Sequence, residues 1–339
     1  MSILNNNQGG LVQNYVTQGA GEEFKFPLDW EQTFHHESKK SSAPREYVAA
    51  IEFAALSDEQ RAAGQAILEY LANFRFATAQ QLRTLVAAKG MNPDLIYDLI
   101  SYFIERNTMN YFVITANQMQ FSQKEIPGDA LKVYCLDYGA ICLLSHFSAS
   151  PYLRWTPGDE RFCKSQLVAR HIMTGMFYLQ ALSLRKDTLE QFIPNRDFTN
   201  GERGIRFSAG FRIMMGCNGV EFLLDVVRDT DLLTSWQSEL EKMTPFIRGR
   251  YMKRYYEGGN PEGRYSSLPL VIFLVESVKA AGEVADSFYR ATGYSEFYIL
   301  LERDMLKGLH IAPLYAYHPE DNKLKGKREE FFKPVAPRA

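Results

Sequence analysis

From Ser57 onward, apolar residues recur at helical spacing. Ser57 and Gln60 form a capping box ahead of RAAGQAILEYLANF, in which Ala63, Ile67, Leu68, Leu71 and Phe74 share one face. Thr78 and Gln81 repeat the box ahead of AQQLRTLVAAKG, and Gly90 supplies the stop. A third helix is predicted from Asn92, with Pro93 in its first turn and a buried stripe of Leu95, Ile96, Leu99, Ile100, Phe103 and Ile104. Two β-rich runs follow, NYFVITA and LKVYCLD, joined by a polar loop through Gly128. Three short helices and then a hairpin is the order of a winged helix-turn-helix domain, here over residues 57–150.

The next domain is predicted over residues 151–315. After the link SPYLRWTPGDE, a long helix carries apolar Leu167, Val168, Ile172, Met176, Leu179 and Leu182 on more than one side. The stretch Ile205–Thr230 then reads as a hairpin. Polar Arg206, Ser208, Gly210 and Arg212 alternate with apolar Phe207, Ala209, Phe211 and Ile213, and Met-Gly-Cys-Asn-Gly has turn chemistry. On the second strand, Glu221, Leu223, Asp225 and Val227 fall on one face. Thr234 and Gln237 open a further helix, WQSELEKMTPFIRGRYMKRYY, which Pro245 bends or splits. The strand PLVIFLV, the helix KAAGEVADSFYRATG with Gly293 as its stop, and the strand FYILLE have the near-continuous apolar runs of a buried parallel pair. The fold class expected is therefore α+β, a winged helix-turn-helix followed by an α/β domain. Residues 1–56, rich in Asn, Gln, Gly and Ser, read as an extended, partly disordered arm, and 316–339 as a charged docking or disordered tail.

Composition narrows the class. A chain of 339 residues with 46% hydrophobic content suits two domains with proper cores. The longest apolar runs fall short of the ~20 residues of a membrane span, and MSILNNNQGG lacks the features of a signal peptide, so a cytoplasmic protein without membrane contact is expected. Cys135, Cys142, Cys163 and Cys217 show no C-x-x-C spacing, and neither zinc, a disulfide framework nor a cofactor is indicated. His35 and His36 read as solvated residues, and His171 as a core histidine.

Net charge is −2 and pI about 6.3, so any DNA contact must come from a local patch. The outward face of the third helix carries Asn92, Asp94, Tyr97, Asp98, Ser101, Tyr102 and Glu105, and residues 57–150 hold seven Lys/Arg against nine Asp/Glu. Phosphates repel carboxylates, so protein docking competes with DNA reading there. Lys89, Asn92 and Tyr97 are its DNA-contact candidates. A stronger basic patch is Arg248, Arg250, Lys253 and Arg254, interleaved with Tyr251, Tyr255 and Tyr256, which offers cations for phosphates and rings for bases. The alternative there is a solvated helix end favoured by the helix dipole.

Five segments in order, ILEYLANFRFATAQQLRTLV, VYCLDYGAICLL, the helix with His171, LDVVRDT and PLVIFLVES, resemble the replication-relaxation family over about Ile67–Leu301. Members occur on plasmids and integrated conjugative elements. The resemblance implies a winged helix joined to a domain related to the restriction-endonuclease fold, acting in mobile-element replication or conjugative transfer. The family's Glu-x-Asp-Arg-Gly-Thr corresponds to Asp225, Val226, Val227, Arg228, Asp229 and Thr230, so its second acid has become Val227. Its Pro-Asp on the preceding strand falls near Phe207 and Ser208, and that acid is missing too. Phosphodiester cleavage by this fold needs carboxylates from both strands around a divalent cation, usually with a lysine.

The expectation is thus a non-catalytic accessory factor binding double-stranded DNA, proteins of a replication or transfer complex, or both. A metal-dependent nuclease using Asp225 and Glu221, and a pure protein-interaction scaffold, are the alternatives. Asp225 and Arg228 should face opposite sides of their strand, with Arg212 or Arg206 as partners for Asp225. Nothing in the sequence sets the oligomeric state.

Overall fold

A computed structural model describes residues 30–34, 43–116, 132–147, 155–157, 163–200, 203–216, 218–249, 252, 268–321, 323–327 and 330–332. The protein is a mixed α+β chain of two compact units, Phe26–Leu179 and Gln180–Ala339, with a four-stranded and a seven-stranded sheet. No described helix is long and apolar enough to cross a membrane.

In the first unit, β1 (Trp30–Phe34) and α1 (Ala43–Ala54) precede α2 (Asp58–Phe74), β2 (Ala77–Thr78) and α3 (Ala79–Ala88). A 3-10 turn (Pro93–Leu95), α4 (Ile96–Glu105), β3 (Met109–Ala116), β4 (Lys132–Leu136) and α5 (Gly139–Phe147) follow, then the long helix α6 (Ser165–Arg185). The sheet order is β1-β3-β4-β2, antiparallel throughout. Both expected capping boxes form. Ser57 Oγ accepts from the Gln60 N–H at 3.2 Å and Gln60 Oε1 from the Ser57 N–H at 3.2 Å, and Thr78 and Gln81 reciprocate at 3.2 and 2.9 Å. Each cap contributes about 1 kcal/mol to its helix.

Three expectations are corrected here. Residues 1–56 are not wholly an extended arm, since β1 pairs with β3 over five residues and α1 is helical. Pro44 suits the first turn of α1, and Phe53 packs on Phe103 with ring centroids 5.9 Å apart. Gly64 makes that contact possible, because a Cβ there would lie 2.8 Å from the Phe53 ring. The third helix begins with a 3-10 turn, because Asn92 Oδ1 accepts from the Asp94 N–H at 3.0 Å and tightens the entry. The boundary between units falls inside α6 rather than near residue 150. The first half of α6 packs closely on α2 at Gly175, where a Cβ would collide with Tyr70 Oη, and Gln81 Nε2 donates to the Ile172 carbonyl at 2.9 Å.

The second unit runs β5 (Leu189–Asn200), β6 (Arg203–Met215), β7 (Asn218–Val227), α7 (Asp229–Thr234), α8 (Trp236–Arg248), β8 (Leu270–Val275) and α9 (Val278–Thr292). Then come β9 (Phe297–Leu301), α10 (Glu302–Lys307), β10 (Leu314–His318), β11 (Lys323–Lys327) and a 3-10 turn (Glu330–Phe332). The sheet order is β11-β10-β9-β8-β7-β6-β5. Strands β5, β6 and β7 are antiparallel, β7, β8 and β9 parallel, and the last two antiparallel again. The predicted hairpin closes at Met215↔Asn218, with Gly216 at a φ of +66° that favours glycine. Trp236, Leu240 and Phe246 of α8 and Val284 and Phe288 of α9 cover one side of the sheet in a cluster with Leu223, Val227, Val271 and Phe273.

The expected charged tail is also corrected, because β10 and β11 extend the sheet and Phe332 is 3% exposed beside Phe222. Tyr315, Tyr317 and Leu324 pack against the core cluster, while exposed Lys323 and Lys325 of KLKGK, which disguise the strand in the sequence, lie at a sheet edge. Thr234 does not cap the helix it is expected to open, since the N-cap of α8 is Ser235 and Thr234 Oγ1 donates to the Thr230 carbonyl at 2.8 Å. Helix α8 runs through Pro245 unsplit and ends one turn later at Arg248, where the Gly249 N–H donates to the Pro245 carbonyl at 2.9 Å.

Candidate functional site

The hairpin ladder pairs Met215↔Asn218 through Ala209↔Leu224 and stops there. Beyond it the Ser208 side chain takes over from backbone. Its Oγ donates to Asp225 Oδ1 at 2.8 Å and accepts from the Val226 N–H at 3.0 Å, and the Ser208 N–H lies 3.3 Å from the same carboxylate oxygen. Asp225 is 2% exposed, so its carboxylate is served by the neighbouring strand rather than by water. The arginines expected beside it are engaged elsewhere. Arg206 Nε meets Asp197 at 2.5 Å, its cross-strand neighbour on β5. Arg212 Nε lies 3.4 Å from Glu190 and 3.5 Å from Glu221, which is directly opposite on β7. Glu221 is buried, and burial pushes its carboxyl up to about 7 against the pull of Arg212. The guanidinium of Arg212 lies over Gly219, where any side chain would collide with it.

A second polar group forms at the far ends of the parallel strands. Val227 pairs with Val275 and Val275 with Leu301, so Arg228, Glu276 and Glu302 each stand one residue beyond a strand end and become neighbours. All three are buried, at 2%, 5% and 0% exposure. Arg228 Nη2 meets Glu276 Oε1 at 2.8 Å, and Nη1 donates to Glu302 Oε1. The Arg228 N–H donates to Asp231 Oδ2 at 2.7 Å, the Asp229 N–H to Glu276 Oε2 at 3.0 Å, and Ser277 Oγ to Asp229 Oδ1 at 2.8 Å. Burial pushes Glu302 up to about 7, with Arg228 opposing and Glu276 reinforcing. Sequence reasoning singled out Arg228 but missed both glutamates. A usable signal was present, since each is the charge that ends an apolar run, in LVIFLVE and FYILLE.

A divalent cation, which the resemblance implies, does not fit this arrangement. Ser208 stands where the resemblance puts the first acid, Asp225 is hydrogen-bonded to Ser208, and buried Val227 stands where the resemblance puts the second. At the strand ends a guanidinium already lies between the two carboxylates. Among the described residues no group of three or more His, Cys, Asp or Glu is arranged to hold a metal ion.

The remaining candidates are dispersed. Lys89 is exposed at the C-cap of α3, and Asn92 is exposed with its N–H donating to Glu59 Oε1 at 3.2 Å. Tyr97 is 43% exposed in the first turn of α4, between Asp94 and Asp98, and Asp94 pairs with Arg83 at 3.1 Å. Arg248 is exposed, and its guanidinium donates to the carbonyls of Thr292 at 3.1 Å and Arg290 at 3.5 Å, which joins the C-termini of α8 and α9. Arg250, Lys253 and Arg254 lie outside the described residues, as do His35 and His36. His171 is a core residue, edge-on to Phe76 at 5.8 Å. Among the described residues neither Cys135 nor Cys163 is in a disulfide, and Cys135 Sγ lies 3.7 Å from the Asn110 carbonyl.

No protein-family model matches the chain, and no curated protein matches it. Among solved structures it is similar to that of the restriction endonuclease FokI bound to DNA, with 11% identity and a TM-score of 0.24 over 74% of this chain and 45% of that one. A score of that size says nothing about the fold or function of this chain.

Proposed function

We propose that the protein is a non-cleaving DNA- or protein-binding accessory factor of mobile-element replication or conjugative transfer. In this proposal the first unit is a winged helix and the second a restriction-endonuclease-like domain that serves as a scaffold. One observation carries the non-cleaving part: the buried acids on the hairpin and at the ends of the parallel strands bond to the fold itself, Asp225 to Ser208 and Glu276 and Glu302 to Arg228. The winged helix is supported by the order of α2, α3, α4 and the β3–β4 pair, with β2 added on β4. The setting within mobile elements rests on the sequence resemblance alone.

A purified chain should leave DNA intact with magnesium or manganese, and cleavage abolished by Asp225→Ala would overturn the scaffold role. For the DNA arm, Arg250, Lys253 and Arg254 changed together to Ala should weaken duplex binding and flatten its salt dependence. Unchanged binding at low salt would remove that patch from the interface. A pure protein-interaction role is the second reading, favoured by exposed Asp94 in the 3-10 turn and exposed Asp98 and Glu105 on α4. It fails if the chain alone shifts duplex DNA at near-physiological salt.

A further inference from the structure

The site at the strand ends holds more acid than base. Arg228 keeps its charge at any pH the fold meets and can neutralise one carboxylate. A second ionised carboxylate in the same dry site leaves net negative charge away from water, which is costly. The neighbours do not relieve it. Asp229 and Asp231 of α7 add negative charge, and Glu276 already takes one edge of the guanidinium. On α10 itself, Arg303 and Lys307 lie 4.0 and 3.5 Å from Asp304, so their charges are directed there. From α6 the neutral amide of Gln180 meets the Met305 carbonyl at 2.9 Å and the Leu309 N–H at 2.6 Å, while Arg185 Nε donates to the Phe331 carbonyl at 2.6 Å. Within Glu302, Oε1 receives Arg228, whereas Oε2 has no hydrogen-bond partner among the described residues.

We propose that this cluster is a proton-operated latch: a proton on Glu302 Oε2 leaves Arg228, Glu276 and Glu302 neutral together and holds α7 and α10 to the ends of β7, β8 and β9, and its loss loosens both helices. Each helix has six residues, too few to be stable alone, so both depend on what anchors them. Leu233 of α7 is 85% exposed and Leu232 is only partly buried against the core cluster, so apolar burial alone resists opening of that helix weakly. The burial that pushes Glu302 up to about 7 from an ordinary 4.5 puts the transition near neutral pH. The closed form keeps the proton in this window while the open form releases it. Opening therefore becomes easier as pH rises from 4.5 and levels off above about 7.

Hydrogen exchange of the full chain across this range, corrected for the intrinsic pH dependence of exchange, tests the latch. Amides in 229–234 and 302–307 should lose protection by about tenfold per pH unit up to neutrality, the slope of one released proton. Glu302→Gln should keep them protected at every pH and remove the infrared carbonyl band of a buried protonated carboxyl. The same pH response in Glu302→Gln, or none in the natural chain, would overturn the proposal. Glu276→Gln is the second variant, needed if Glu302→Gln does not fold. With Arg228 left to Glu302 alone, the response should move to lower pH, and an unmoved response also overturns the latch.

Discussion

Ser208→Ala separates a structural Asp225 from a catalytic one. The hydroxyl makes two hydrogen bonds, donating to Asp225 Oδ1 at 2.8 Å and accepting from the Val226 N–H at 3.0 Å, and both partners are buried. A lost bond to a buried carboxylate costs about 1.5–3 kcal/mol, and a stranded backbone N–H about 1–3 kcal/mol. The Ser208 N–H, 3.3 Å from the carboxylate, stays in place and moderates the loss. The expected destabilisation is thus about 3 kcal/mol. In a unit of this size that lowers its melting temperature by about 6–12 °C. Urea unfolding of the full chain, followed by a probe confined to residues 180–339, measures it without assuming that both units unfold together. The double variant with Asp225→Asn should show a coupling of about 1–2 kcal/mol. A loss below about 0.5 kcal/mol would mean that water, not Ser208, serves the carboxylate, and the physical basis for a non-cleaving centre would be gone.

Other perturbations probe the packing and charge around this centre. Gly175→Ala drives a methyl group into Tyr70 Oη and should cost about 1–3 kcal/mol in calorimetry. Gly282→Ala, in open space within α9, should stabilise by about 0.5–1 kcal/mol, and equal effects from the two would contradict the close α6–α2 approach. Phe332→Ala should cost about 3 kcal/mol if the C-terminal turn is part of the core beside Phe222, whereas a loose tail would give no change in thermal unfolding. Glu221 is raised to about 7 from 4.5, so its stabilising share is complete below 4.5 and lost as pH rises through 7. Glu221→Gln should therefore flatten the pH dependence of stability in that window by on the order of 3 kcal/mol, and parallel pH profiles for the two proteins would refute it.

Local chemistry was legible along much of the chain. The boxes Ser57/Gln60 and Thr78/Gln81, the stop at Gly293, the glycine turn at Gly216 and the apolar strands β8 and β9 were all readable, because each depends on residues within a few positions of one another. Elements whose stability is borrowed from distant partners were not. Strand β5 is broken up by Pro194 and charges, β11 is masked by lysines, and α1 acquires its core contact only when Phe53 reaches Phe103.

At the centre of the second unit, the sequence alone placed Asp225 on a hairpin strand, on the same face as Glu221 and with no lysine in the hairpin. It could not say what Asp225 touches, because Ser208 replaces a ladder bond only where β6 and β7 part. Nor could it bring together Arg228, Glu276 and Glu302, which span 74 positions of chain. Parallel register makes them neighbours, and burial then makes their shared charge balance a property of the fold.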